Sequence, residues 1–486
     1  MRKFFMVVAV GALALLVAAP ATALEFKFGA EYRVRFYDYS NVGFDSRAGT
    51  NPRGVQLRVR PIFDTSDDNG NITARLRLEF GDTQFGAGGG ANGVAFGANQ
   101  NGTTVTGYSL APTGTRTGPG QGGSIGADGV AVEVKSAYID FAMPFGVPLR
   151  VRSGIMPWYL PKGLIVDDDV AGVQAYGSVK PVSYQIGWYR ASRESIAGTA
   201  GFGRDNALDF YEFKLDVAVA KVFNPGIYYI YGDNRANCSG VTSGTFIPAC
   251  GTQERVRPQH WIGLTVTGDL GFMSYDLDWI YGSAKGGPDG TFVNGLTGEA
   301  TRVRGWVIDG GIHVPIGPVR LNLVGSYATG DDQDGSNKSS AFPGGPAPGW
   351  SGPSNVAGGN YELIGGGGTF DVVDVTQDGP TNLWTLGVSA EYNPVKALTL
   401  RAHYLYAGFT KNSGNCATAV AGSVGCFGPA YQALAGDNSL GHEFGLRADY
   451  QIWTGFAVQG FVGWLFPGSA DPATVGKYIL QMRYAF

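Results

Sequence analysis

The feature that most restricts this chain is a stretch whose character changes at every step. Leu24, Phe26, Phe28, Ala30, Tyr32, Val34 and Phe36 alternate with Glu25, Lys27, Gly29, Glu31, Arg33, Arg35 and Tyr37. A helix turns by about 100° per residue and would scatter these two sets around its axis. Only an extended strand holds a period of two for so long. The rhythm returns in Val55, Leu57, Val59, Pro61 and Phe63, set against Gln56, Arg58, Arg60 and Asp64. It returns again in Ile72, Ala74, Leu76, Leu78 and Phe80, set against Thr73, Arg75, Arg77 and Glu79. Between those two stretches Asp67-Asp68-Asn69-Gly70 reads as a hairpin turn. Further on, Met273 to Tyr281, Trp384 to Tyr392 and Leu398 to Tyr406 alternate in the same way, and Val170 to Lys180 and Trp261 to Gly268 do so more weakly. The chain ends on such a strand, with Tyr478, Leu480, Met482, Tyr484 and Phe486 on one side.

Alternation alone fits a soluble sandwich as well as a membrane barrel, and here composition decides. Glycine fills 77 of 486 positions, aromatics make up 13% and charged residues only 16%, where a soluble domain carries ~25% charged residues. So few charges cannot coat a water-facing exterior of this size. A spanning β-barrel removes the difficulty, because its outside meets lipid, its polar side chains turn inward, and the closed sheet pairs every backbone group. Sandwiches have no need of aromatics at so many strand ends, and no propeller-like repeat is visible.

The spacing gives roughly eighteen strands whose connections alternate in length. Short ones fall near Asp67–Gly70, Pro144–Pro148, Lys180–Pro181, Ala218–Lys221, Gly268–Gly271, Pro315–Pro318, Asn393–Lys396 and Gln451–Gly455. Long ones lie between them, including Asp82–Gly129, Asn234–Arg257, Gly330–Thr381 and Thr410–Asn438. The expected fold is therefore all-β: a transmembrane antiparallel β-barrel of about 18 strands, with short periplasmic turns and long extracellular loops. At the N-terminus, Arg2 and Lys3, the apolar run Phe4–Val17 and the small-x-small site Ala21-Thr22-Ala23 read as a signal peptide over 1–23. The barrel then occupies 24–486, in the bacterial outer membrane. Losing Arg2 and Lys3 takes the formal charge from −4 to −6, which suits neither nucleic acid nor an anionic membrane surface.

Two segments carry a family likeness. "LGHEFGLRADY" (Leu440–Tyr450) followed by "WLFPG" (Trp464–Gly468) resembles the closing strands of the alginate-export porins. "AYIDF" (Ala137–Phe141), "LRVRSG" (Leu149–Gly154) and "YATGDD" (Tyr327–Asp332) resemble outer-membrane porins of this broad kind. The resemblance implies an eighteen-stranded barrel enclosing a passive conduit; alginate itself is not carried over with it. The terminal Phe486 is similar to the end-signal read by the machinery that assembles such barrels.

On the alternation, Arg33, Arg35, Arg58, Arg60, Arg75, Arg77, Arg150 and Arg152 point inward from neighbouring strands near mid-height, with Glu31 and Glu79 beside them. Asp276, Asp278, Asp309, Glu391, Glu443 and Asp449 are inward candidates on later strands. Guanidinium groups stay charged and grip carboxylate or phosphate with two donors. A basic wall facing an acidic one would screen solutes by charge and dipole. A plainer reading has the arginines pairing with Glu31 and Glu79 to stiffen the wall, and the two readings are compatible. Long glycine-rich loops that fold inward would narrow the mouth, and the sequence does not say which one does.

Cys238 and Cys250 share one long loop, Cys416 and Cys426 another, so two within-loop disulfides are expected in an oxidising compartment. Catalytic signals are weak. Gly122-Gly-Ser124-Ile-Gly126 fits G-x-S-x-G but lacks the strand-to-helix elbow. His260, His313, His403 and His442 are scattered without metal spacing, and Asp331–Gly335 and Asp167–Asp169 read as solvated acidic turns. The sequence thus points to no enzyme, no cofactor and no metal. It points to a porin for passive passage of small hydrophilic solutes, anionic ones included, through an Arg-lined lumen. Two alternatives stay open: a sheath around periplasmic and extracellular cytochromes in an electron conduit, and a polysaccharide exporter. The partners are then outer-membrane lipid and small solutes, with cytochromes added in the sheath reading. Nucleic acid is not among them, and the assembly is a monomer or a homotrimer.

Overall fold

The structure is a computed structural model that describes residues 24–41, 51, 53–85, 132–144, 146–193, 207–234, 258–285, 302–330, 338–346, 381–411, 438–468 and 473–486. The first strands are β1 (Glu25–Ser40), β2 (Arg53–Ser66), β3 (Ile72–Gln84), β4 (Val132–Ala142), β5 (Leu149–Tyr159) and β6 (Asp167–Val179). Then come β7 (Val182–Arg193), β8 (Ala207–Val217), β9 (Asn224–Asn234), β10 (Gln259–Asp269), β11 (Ser274–Lys285), β12 (Arg302–Ile316) and β13 (Val319–Ala328). A two-residue strand, β14 (Lys338–Ser339), precedes β15 (Leu383–Val395), β16 (Leu398–Phe409), β17 (Ser439–Trp453), β18 (Phe456–Pro467) and β19 (Val475–Ala485). Apart from β14, which runs parallel to β12, each strand pairs antiparallel with its neighbours, and β19 pairs back onto β1. The result is a closed ring of eighteen strands with no free edge. Among the described residues no helix is long and apolar enough to cross a membrane.

Closure follows from the register. Tyr32 stands opposite Tyr484 and Arg33 opposite Arg483, so like faces meet across the seam. Ala30 and Phe486 exchange two backbone hydrogen bonds of 3.1 Å. Gly29 makes this possible, since a Cβ there would lie 2.7 Å from the Phe486 carbonyl oxygen. The alternation sorts side chains in the sense opposite to that of a soluble protein. Phe28 and Leu386 are more than half exposed, whereas Arg35, Asp309 and Glu443 are completely buried. A bilayer as outer solvent accounts for both.

Three boundaries differ from the sequence reading. Asp167–Asp169 open β6 instead of forming a solvated turn, because Asp167–Asp169 pair in register with Pro157–Tyr159 of β5. The ends of β15 and β17 run past the expected turns through irregularities at Tyr392/Val395 and Gln451/Trp453, which add residues the period-two count does not see. The leader region 1–23, the four cysteines, Gly122–Gly126 and Asp331–Gly335 lie outside the described residues.

The inside holds the larger surprise. An apolar core fills part of the lumen, where only polar side chains were expected. Leu160, Leu164, Ile165 and Val166, from the connection between β5 and β6, are fully buried. They pack with Met156, Trp158, Tyr189, Phe210 and Trp261 of the wall and with Phe342 from the connection after β13. Trp158 stacks on Tyr189 with ring centres 4.4 Å apart and leans on Phe210 at 5.5 Å. The two infolded segments touch, for a Cβ on Gly345 would sit 2.0 Å from the Ile165 carbonyl oxygen. Trp261 Nε1 holds the second segment by donating to the carbonyls of Pro343 (3.2 Å) and Gly344 (3.0 Å). Burying each aliphatic side chain contributes ~1.5–3 kcal/mol, so the four of the first segment together hold it firmly inside.

Candidate functional site

The strand register gathers charged side chains on one inward-facing wall. Arg33 lies level with Arg58 on one side and Arg483 on the other, and Glu31 is level with Arg60. Glu31 consequently sits among three guanidiniums, Arg483 at 2.7 Å, Arg58 at 3.5 Å and Arg60 at 4.0 Å. Glu79 pairs closely with Arg60 and lies 4.0 Å from Arg58. Arg35 donates to Gln481 at 2.9 Å. Asp64 takes both donors of Arg75 at 2.7 and 2.8 Å. Asp140 accepts from Arg150 (2.7 Å), Arg152 (2.9 Å) and the Tyr176 hydroxyl (2.5 Å), while the Arg152 guanidinium lies over the rings of Tyr138 and Tyr176. Arg77 completes the row, and its Nε has no hydrogen-bond partner among the described residues.

The eight arginines named from the sequence share this wall with Arg483 and Lys135 and are offset by Glu31, Asp64, Glu79, Asp140 and Glu133, the last level with Glu79 and paired with Lys135 at 3.2 Å. The row does not stay at mid-height. Arg75 and Arg150 stand near the short-turn ends of β3 and β5, where their side chains are 41% and 31% exposed against 16% for Arg58. The wall opens toward the short turns and closes above them.

About half-way round the ring, β11 and β12 present Asp276, Asp278 and Asp309. These carboxylates do not face an empty lumen. The turn Pro161–Gly163 at the tip of the first infolded segment carries Lys162, whose φ of 62° is the left-handed conformation that turns the chain back. Its ammonium contacts all three: Asp276 most closely, Asp278 at 2.6 Å and Asp309 at 2.9 Å. Burial alone would lower the Lys162 pKa, but the three carboxylates outweigh it and raise the value above that of an ordinary lysine. His313 reinforces the cluster through Asp276 at 2.7 Å and Asn322 at 2.8 Å. A cavity of about 440 Å³ opens beneath Lys162 toward the short turns, bounded by Asp216, Thr265, Thr267, Asp276 and Asp278.

The later strands do not form the purely acidic face that the sequence suggested. Glu391 pairs with Arg401 at 2.8 Å, Asp449 with Arg447 at 2.8 Å and Glu443 with His403 at 2.9 Å. Cations and anions interleave there because the inward positions of β16 and β17 carry both. The four histidines stay apart: His260 and His442 face outward against Tyr229 and Tyr404, and His313 and His403 serve separate carboxylates. Sequence reasoning missed Asp140 and Lys162. Asp140 was readable as an inward position of "AYIDF". Lys162 was readable as the one charge inside an otherwise apolar connection, "LPKGLIV".

No family model matches the chain, and no curated protein matches it. Solved structures do. OccAB4 of Acinetobacter baumannii superimposes with a TM-score of 0.53 at 12% identity, over 96% of this chain and 99% of that one. OccK9 (OpdG) of Pseudomonas aeruginosa gives 0.53 at 11% identity, over 95% and 98%. A BenF-like porin of Pseudomonas fluorescens Pf-5 gives 0.50 at 13%, over 95% and 98%. The chain has the fold of an outer-membrane porin. That fold and the lipid-facing surface place it in the bacterial outer membrane. At such identities the likeness speaks for the barrel alone, and the alginate-export resemblance stays a likeness of sequence motifs.

Proposed function

We propose that this barrel is a passive channel for small hydrophilic solutes, anionic ones among them, that move along the arginine wall. The observation that supports the reading is the surplus of positive over negative side chains on one inward face, nine arginines and Lys135 against Glu31, Asp64, Glu79, Glu133 and Asp140. Such a row holds an anion by successive two-donor contacts, none of which binds alone tightly enough to trap it. The infolded segments supply the constriction that makes wall charge count. The same reading includes export by the 1–23 leader and two loop clips, Cys238–Cys250 and Cys416–Cys426.

The test is current through the purified chain, alone, in a planar bilayer under a salt gradient. Steps of current with a reversal potential on the anion side are expected. Silence of the pure chain, with conduction or co-purification only alongside haem proteins, would transfer the case to the cytochrome sheath. Passage of uronate polymers in preference to small anions would favour the exporter. Peptide mapping without reductant should recover the two within-loop cysteine pairs.

A further inference from the structure

We infer that Lys162 is a specificity-determining residue: a tethered counter-ion, delivered by the infolded segment, that cancels an acidic site which would otherwise select cations. This rests on the channel reading above and adds to it a second, opposing charge element. Asp276, Asp278 and Asp309 bring carboxylate oxygens within 4.8 Å of one another. Three like charges this close repel strongly unless a cation lies between them. Lys162 is that cation, and it comes from a connection instead of from the wall. Without Lys162 the wall would present Asp276 and Asp278 to the 440 Å³ cavity, beside Asp216, which pairs with Lys214 at 3.2 Å. Any cation crossing the lumen at this height would find that site.

Two features separate this role from simple stapling. First, the segment does not depend on Lys162 to stay inside, because Leu160, Leu164, Ile165 and Val166 are fully buried beside it. Removing the charge should therefore leave the constriction in place and change its sign. Second, the cavity reaches the short turns, so the cluster borders a path continuous with the periplasmic mouth. Charge at such a position acts on the ions that pass, where a charge sealed in a wall would not.

The experiment is a reversal-potential measurement on the full chain in a planar bilayer, comparing wild type, Lys162→Met, Lys162→Arg, and Lys162→Met combined with Asp276→Asn and Asp278→Asn. Lys162→Met keeps an unbranched side chain only one heavy atom shorter and removes its charge. The cation-to-anion permeability ratio is expected to rise about tenfold in Lys162→Met, as focusing by an uncompensated acidic cleft allows. It should stay near wild type in Lys162→Arg and return toward wild type in the combined variant. Lys221→Gln removes one positive charge at the rim of a short turn, where Lys221 pairs with exposed Asp269, and should leave the ratio unchanged. An unaltered ratio in Lys162→Met, with wild-type unit current and a heat-modifiable folded band on electrophoresis, overturns the inference while leaving the channel intact. A Lys162→Met ratio that the two asparagines fail to reverse overturns it as well. No current from wild type overturns the channel reading and this inference with it.

Discussion

Asp140 shows how one buried acid can set the behaviour of several arginines. It is almost inaccessible, yet two guanidiniums and a phenol converge on it. Changing Asp140→Asn keeps the shape and removes the charge, leaving Arg150 and Arg152 without their anion at the open end of the wall. The loss in stability should be about 1–2 kcal/mol, below that of a fully buried pair because both arginines are partly exposed. Anion permeability should rise at the same time, since two positive charges are released toward the lumen. Reversal potential and the temperature of the heat-modifiable electrophoretic shift read the two effects separately. If the variant loses stability with no gain in anion preference, Arg150 and Arg152 are wall struts and nothing more. The alternation rule placed these arginines on the inward face from sequence alone. It could not say that Asp64 and Asp140 would meet them, because cross-strand partners depend on register, and register shifts at Leu57/Val59 and Arg77/Leu78 break simple counting.

At the level of elements, the segment Leu160–Val166 decides how much of the lumen is open. Its residues are those of a core, and a connection so apolar has to be covered. That signal is present in "LPKGLIV", but loop length does not reveal it, since the segment is short and length singles out the glycine-rich connections as the ones to narrow the mouth. Strand β8 illustrates the matching difficulty on the wall. Phe210 and Glu212 face inward while Tyr211 and Phe213 face outward, so both sides carry aromatics and the alternation is silent about the core they build. Replacing Leu160–Val166 by a glycine-serine linker of equal length should leave the ring of strands closed. It should also widen the path. Unit conductance is expected to rise roughly twofold, because a constriction and not the whole lumen limits flow. An unchanged conductance in a folded variant would mean that the limiting section lies elsewhere. Stability should fall by several kcal/mol as the aliphatic side chains leave their contacts.

For the whole molecule, closure is the property on which all else depends, and it is concentrated at one seam. Period-two alternation made the barrel readable, since it needs only the identity of successive side chains. How the ring closes is a matter of register between the two ends of the chain, which no local pattern encodes. The seam joins β1 to β19, with Ala30 and Phe486 exchanging backbone hydrogen bonds and Phe28, Tyr32 and Tyr484 packing around the terminal ring. Gly29 is the position where the two ends of the chain come too close for any side chain. In Gly29→Val the Phe486 carbonyl must retreat, and at least the Ala30–Phe486 pair is lost. With each backbone hydrogen bond contributing a net ~0.5–1.5 kcal/mol, the direct cost is about 1–3 kcal/mol. The kinetic effect should be larger, because an opened edge offers unpaired donors and acceptors to other chains and is costly within lipid. We therefore expect Gly29→Val to lower the temperature of the electrophoretic shift and to increase aggregated, protease-sensitive chain in the envelope. A Gly29→Val protein that folds and melts like wild type would show that the seam tolerates displacement of its last strand, and that Phe486 holds the end of β19 by its ring rather than by its backbone.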